Sequence, residues 1–213
     1  MKKELIIALS IGDGFVERPN KSEKSNLVIR HSTHQKEYIE WKYNLDFEFW
    51  RYEPRLYNNC IKDKRYFGYK ITSKSNHELF EIRKKLYPND KKYISREILN
   101  YLTPLGLAIW YMDNGCIDRP VNKNSMGLLN TYCESSNAEE ELIIQKYFEE
   151  VWNIKTALNK GHGRYRIRFN HTNFCKFVEI IKPYVIPSLQ YKIDTTMRLN
   201  APIKVEFIST PKI

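Results

Sequence analysis

Ile6-Ile7-Ala8-Leu9-Ser10-Ile11-Gly12-Asp13-Gly14 and Leu107-Ala108-Ile109-Trp110-Tyr111-Met112-Asp113-Asn114-Gly115 are the two stretches on which the reading of this 213-residue chain turns. They lie in the two most apolar runs, residues 4–12 and 103–112, each about three helical turns long. Each run stops at a turn signal, Gly12-Asp13-Gly14 in one case and Asp113-Asn114-Gly115 in the other. Thr103-Pro104 adds a helix start to the second, an N-cap residue followed by proline at the first helical position. A helix that is apolar all round is buried, so both runs are expected as core helices.

Working outward, the same order of elements follows each run. After the first come strand-like residues 15–18 and 26–32, joined by the polar turn Pro19-Asn20-Lys21-Ser22. The spacing of Tyr38, Trp41, Leu45 and Phe49 predicts a helix over 34–50. Strands over 55–62 and 66–72 and a helix over 76–86 complete the half. After the second run, strands near Ile117 and over 126–132 precede a helix over 137–152, with Leu142, Ile143, Tyr147, Phe148 and Val151 on its apolar side. Strands over 155–158 and 164–169 and a helix over 172–184 follow. Gly14 falls opposite Gly115, Tyr69-Lys70-Ile71 opposite Tyr165-Arg166-Ile167, and Lys92 opposite Lys192. The offset of about one hundred residues reads as an internal duplication, with units 1–100 and 101–213.

Composition sets the partner class. Thirty-five Lys and Arg against 25 Asp and Glu leave a net charge of +10. Residues 1–100 carry 21 basic against 14 acidic groups and residues 101–213 carry 14 against 11, so both halves are basic. That favours a polyanion, since lysine and arginine on one face release counterions from a phosphate backbone; a generally basic surface or an acidic membrane surface would share the charge. Cys60, Cys116, Cys133 and Cys175 are too scattered for a zinc quartet and read as free thiols of a reducing compartment. No apolar run approaches the roughly 18 residues needed to cross a bilayer, and the N-terminus has no cleavage-site pattern. The expectation is an intracellular protein with no membrane association, in a bacterial cytoplasm or an organelle.

Two buried helices ending in acidic turns would bring both ends to one point. Close packing needs small residues, which Ala8 with Gly12 and Gly106 with Ala108 supply. Magnesium accepts a few carboxylates with backbone carbonyls and phosphate oxygens, and a metal so held can activate water for phosphodiester hydrolysis. A solvated turn is the plain alternative for Asp13.

These residues also carry a resemblance. The two nine-residue stretches resemble the motifs of the LAGLIDADG homing endonucleases, and Tyr101-Leu102-Thr103-Pro104 with Trp110-Tyr111-Met112-Asp113 is similar to the second motif of the monomeric members. The segment from Ile186 to Lys192 also looks like that subgroup, so the resemblance runs over essentially the whole chain. It implies an α+β fold of two pseudo-symmetric αββαββα units, an antiparallel β saddle in the DNA major groove, and motif helices at the seam of a monomer. It further implies Asp13 and Asn114 as catalytic metal-binding positions, with Gly12 and Asp113 beside them. Magnesium is the implied cofactor, replaceable by calcium or manganese. Lys92 and Lys192 fall where the family places a basic residue near each active site; a phosphate-positioning contact would suit them equally.

Asn114 stands where the family carries an acid. It offers a neutral carbonyl oxygen and an NH₂, so the second site loses one negative charge. Asp113, one residue earlier, points about 100° away on a helix. Groove reading falls to the sheets. Arg164, Arg166 and Arg168 alternate with Tyr165, Ile167 and Phe169 and so share one face, with arginine able to reach guanine edges bidentately. Arg30, Arg55, Asn58, Lys70 and Lys74 are the analogous candidates in the first half, and a solvated sheet face is the alternative for all eight. Double-stranded DNA is thus the expected partner. The rival is a cleavage-inactive binder, such as a maturase holding intron RNA, and a protein-partner role leaves the basic charge unexplained. An intein origin is disfavoured, because the chain starts at Met1 with no recognisable self-splicing blocks.

Overall fold

The computed structural model describes residues 1–18, 23–61, 64–118, 126–131, 138–161 and 164–196. The turn expected at 19–22, together with Tyr132 and Cys133, lies outside them. The first apolar run is α1 (Lys3–Ile11) and the second α5 (Pro104–Asn114). Thr103 caps α5 as its spelling predicts, its side chain accepting from the Gly106 N–H at 3.2 Å. Every residue from Ile6 to Ile11 and from Gly106 to Met112 is buried. The two helices pack side by side, and a Cβ placed on Gly106 would already stand 3.4 Å from the Cβ of Ala8. A larger residue there would push the helices apart.

Around this pair the chain is written twice. In the first half, α1 leads to β1 (Phe15–Val16), β2 (Leu27–Ser32), α2 (Lys36–Asn44), β3 (Arg55–Ile61), β4 (Lys64–Thr72) and α3 (His77–Leu86). The short α4 (Arg96–Leu99) connects to α5. Then come β5 (Gly115–Asp118), β6 (Met126–Leu129), α6 (Glu139–Trp152), β7 (Thr156–Gly161), β8 (Arg164–Phe169) and α7 (His171–Ile181). Both four-stranded sheets are antiparallel and have the same strand order, β1-β2-β4-β3 and β5-β6-β8-β7. This is the α+β arrangement expected from the sequence.

The helix expected over 34–50 is interrupted. α2 ends at Asn44, and Asp46 leaves helical geometry at φ −166° while its carboxylate pairs with the Met1 ammonium at 2.6 Å. Asparagine and aspartate hydrogen-bond locally and break helices readily. α7 stops at Ile181: Lys182 keeps helical φ/ψ, but Pro183 has no N–H to continue the ladder and a 3₁₀ turn takes over. On α6 the buried face is Ile144, Tyr147 and Phe148 with Glu140 and Glu141. Leu142 and Val151, expected inward, are 52% and 48% exposed: the stripe that touches the sheet follows the 3.6-residue period. Neither α4 nor the extension of β7 to Gly161 is apparent from hydrophobic pattern.

The halves fill their cores differently. Beneath the first sheet lie Leu27, Ile29, Ile71, Leu79, Ile82 and Leu86. Beneath the second, Phe148, Phe169, Phe174 and Phe177 interlock, with Phe169 and Phe177 stacked at 4.8 Å between ring centroids. Cys60, Cys116 and Cys175 are free thiols, and among the described residues no helix is long and apolar enough to cross a membrane.

Candidate metal centre and sheet surface

The two helix ends meet as mirror versions of one another. Lys92 Nζ donates to the carbonyls of Ile11 and Gly12 at 2.8 and 2.9 Å. Lys192 Nζ donates to the carbonyls of Met112 and, at 3.5 Å, Asp113. These last carbonyls carry the negative end of each helix dipole, so each helix end has its own ammonium. The pairing equates Gly12 with Asp113 and Asp13 with Asn114. Between them, Asn114 Nδ2 donates to Asp13 Oδ1 at 3.3 Å.

The equated positions behave oppositely. Gly12 has no side chain, and the space beside it is filled by the Asp113 carboxylate, into which any Cβ on Gly12 would run. That carboxylate is fully buried. Its Oδ1 accepts from Lys42 Nζ at 2.6 Å and from the Tyr38 hydroxyl at 2.7 Å, and its Oδ2 accepts from the Asp13 N–H at 2.9 Å. Burial is the largest single influence and opposes its charge, but the Lys42 charge, the neighbouring His31 and the hydrogen bonds from Lys42 and the Asp13 N–H together hold the Asp113 carboxyl below the usual carboxylate range. Asp13 sits under the reverse balance. Its side chain is 35% exposed, and burial, then the neighbouring Asp113 charge, pushes its carboxyl up to about 6.

A buried layer behind Asp13 was not apparent from motifs. His31, on β2, is 3% exposed, and its Nε2 lies 3.0 Å from Lys42 Nζ while its Nδ1 faces Asp13 Oδ2 at 3.7 Å. Burial first and the Lys42 charge second push the imidazole down to about 3, so the ring is neutral. Lys42 lies four residues after Tyr38 on α2, in the stripe that packs inward. A lysine in an apolar stripe was the available signal.

Asn114 supplies the test of whether the site suits a cation. It is 4% exposed, and its Oδ1 is buried with no hydrogen-bond partner, an unsatisfied acceptor that a cation would satisfy. Asp13, the Asn114 carbonyl oxygen and the helix-end carbonyls are the hard oxygen donors that magnesium or calcium takes. The set fits a divalent ion, one carboxylate short of a symmetric pair. Asp13, His31 and Asp113 form a second cluster, with ligand atoms within 4.8 Å of one another.

On the first sheet, Arg30, Lys70 and Arg55 stand in one row across β2, β4 and β3. Arg30 and Arg55 are exposed and Lys70 half-buried. Asn58 has the opposite parity from Arg55 and so shares its face with Leu56 and Phe67. Lys74 is exposed just after β4. On the second sheet Arg164, Arg166 and Arg168 do share a face, paired across β7 with Gly161, Asn159 and Ala157. Arg166 Nη2 donates to Asn159 Oδ1 at 3.1 Å.

Known proteins place the fold and the family. The homing endonuclease I-WcaI, solved bound to its DNA recognition sequence, superposes with a TM-score of 0.81 at 21% identity, over 92% of this chain and 86% of that one. The chain is 25% identical to Protein RecA of Mycolicibacterium flavescens over 97% of its own length and 49% of that protein, so it spans about half the length of the first curated relatives. It is 25% identical to a cytochrome b mRNA maturase of Debaryomyces hansenii, over 91% of this chain and 74% of that one. With the DNA endonuclease I-ChuI of Chlamydomonas applanata it shares 24% identity, over 91% and 94%. The model of the LAGLIDADG DNA endonuclease family matches residues 3–177, and the chain belongs to that family.

Proposed function

We propose that the chain is a monomeric, metal-dependent endonuclease for a long asymmetric site in double-stranded DNA, and that it cuts one strand more readily than the other. The observation that carries this reading is the meeting of Asp13 and Asn114 at the helix seam, 3.3 Å apart, with a lysine on each helix end. Asp13 and the Asn114 carbonyl would hold magnesium, or calcium or manganese in its place, with Gly12 and Asp113 contributing backbone oxygens. The bound ion would activate water and stabilise the leaving oxygen.

The chain's own residues do the rest. Lys92 and Lys192 bring positive charge to the phosphate approaching each helix end, and Asp113 fixes the Asp13 backbone through its N–H. In this reading the two units, 1–100 and 101–213, each lay a sheet into the major groove. Arg164, Arg166 and Arg168, with Arg30, Arg55 and Lys70, face the bases and phosphates, and Lys74 contributes from the margin; Asn58, on the other face of β3, takes no part. Strand bias follows from charge, because only one of the two equated positions carries a carboxylate.

The test is direct. Duplexes selected for binding from a randomised library are incubated with the protein and magnesium, beside Asn114→Asp. The sequence as it stands should give nicked duplex, and Asn114→Asp should give a double-strand break. Selection that enriches no duplex sequence would sink the reading.

The maturase relative and the missing carboxylate support a second reading, a protein that holds intron RNA without cutting DNA. A gel shift separates them: tighter binding of structured RNA than of any selected duplex favours the second.

A further inference from the structure

His31 and Lys42 have no part in the reading above, yet both are buried, His31 facing Asp13 and Lys42 bridging His31 and Asp113. An ammonium donates and cannot accept. The Lys42 ammonium gives one hydrogen bond to Asp113 Oδ1 at 2.6 Å, so its 3.0 Å contact with His31 Nε2 makes that nitrogen the acceptor. A ring nitrogen that accepts carries no proton, so the single proton of the imidazole must sit on Nδ1. That nitrogen is buried with no hydrogen-bond partner and faces Asp13 Oδ2 at 3.7 Å. The Gln35 side chain is a further hydrogen-bonding neighbour of the ring, and Tyr38 lies against it at 4.9 Å between ring centroids.

From this geometry we infer that Lys42 is a positioning residue for the metal centre: it fixes His31 as the Nδ1–H tautomer, turned toward Asp13 as a donor, and thereby denies a metal ion the imidazole nitrogen. The inference deepens the metal-dependent reading above and rests on it. Two consequences follow from residues already described. The cluster of Asp13, His31 and Asp113 has the ligand types of a transition-metal site, since imidazole suits zinc, cobalt and nickel. Lys42 closes that cluster, because it occupies Asp113 Oδ1 and keeps the proton on the only nitrogen that faces Asp13. The ion is left to the Asp13 and Asn114 side, where the donors are oxygen and magnesium competes well. The same ammonium acts a second time on Asp13, through Asp113 Oδ2 and the Asp13 N–H.

The experiment reads the tautomer directly. Long-range ¹H–¹⁵N spectra of the ¹⁵N-labelled full chain, metal-free and near neutral pH, report which ring nitrogen of His31 is protonated, with His31→Gln assigning the signal. Wild type should show the proton on Nδ1; a proton on Nε2 would overturn the inference. Lys42→Met combined with Asp113→Asn removes both buried charges together, so the fold has no orphaned ion to carry. In that variant the proton should move largely to Nε2. Cobalt(II) then provides a second reading: the variant should bind it at least tenfold more tightly than wild type, with a paramagnetically shifted imidazole N–H that His31→Gln removes. An unchanged tautomer and unchanged cobalt binding would refute the role given to Lys42. If wild type binds no cobalt, magnesium or manganese at all, the metal-dependent reading fails, while the tautomer measurement still decides for or against Lys42.

Discussion

At the end of α1 the carboxylate sits on Asp13, after a glycine, and points to the seam; at the end of α5 it sits one residue earlier, on Asp113, and turns away from it. Both halves keep one acid at the helix terminus, but a step of one residue rotates a side chain by about 100°. The displaced carboxylate does not go to waste water. It enters the hollow that Gly12 leaves in the opposite half and is met there by Lys42 and Tyr38. A duplicated fold thus becomes asymmetric through two paired substitutions: glycine facing aspartate makes room for the acid, and asparagine facing aspartate leaves the centre one charge short.

The largest way to break this comparison is to remove the cation that Asp113 depends on. Lys42→Met leaves a fully buried carboxylate with only a tyrosine hydroxyl and an N–H. Stripping one partner from a buried ion pair costs about 3–5 kcal/mol, so urea or thermal unfolding should show a loss of that order. Adding Asp113→Asn should recover most of it, and strictly additive losses would deny the coupling.

Restoring symmetry sharpens the comparison instead. Asn114→Asp places a second carboxylate beside Asp13 and should raise manganese affinity by one to two orders of magnitude, about 1.4–2.8 kcal/mol, measured by titration calorimetry. Equal affinity in the two proteins would show that Asn114 is not the limiting ligand.

Much of this was legible in the sequence because it rests on local signals. Apolar runs closed by Asp-Gly or Asn-Gly, a Thr-Pro helix start and a repeated element order are written in neighbouring residues, and they locate both seam helices and both sheets; Lys92 and Lys192 are singled out by the hundred-residue offset and the family resemblance. The network behind Asp13 was not legible, since its members come from β2, α2 and the end of α5 and meet only through tertiary packing. The helix expected over 34–50 ends early for a related reason: Asp46 leaves helical geometry and pairs with the Met1 ammonium, 45 positions away. Chemistry alone groups Asn58 with Arg55, whereas strand parity puts the two on opposite faces.

The sheets offer a milder contrast. In the first, three cations stand side by side; in the second, Arg166 is held by Asn159, which fixes its guanidinium. A fixed fork suits base edges, whereas a row of cations suits phosphates. Arg166→Ala should cost about 1–3 kcal/mol on the selected duplex and much less on random DNA. Lys70→Ala should weaken both alike and lower the salt slope by about 1. Equal losses on both duplexes for Arg166→Ala would reduce it to a phosphate contact.

The smallest effect is one of pH, and it isolates Asp13. In the metal-free protein its carboxyl titrates at about 6, raised by burial and then by Asp113, and a metal must displace that proton to bind. Manganese affinity should therefore be nearly flat above pH 6 and fall about tenfold per unit below it, as one proton competes for one ligand. His31 does not contribute, because at about 3 it stays neutral across this window. The sign is the reverse of an ordinary surface aspartate: the folded metal-free state favours the protonated form, so this group's contribution to stability is full below the unfolded value and is lost as pH rises through about 6. Asn114→Asp should steepen the acid limb toward two protons and move it to higher pH, since two adjacent carboxyls titrate as a pair. Manganese binding followed by electron paramagnetic resonance between about pH 5 and 7.5 checks both limbs. A profile that stays flat down to pH 5 would mean that Asp13 is not the residue whose proton the metal displaces.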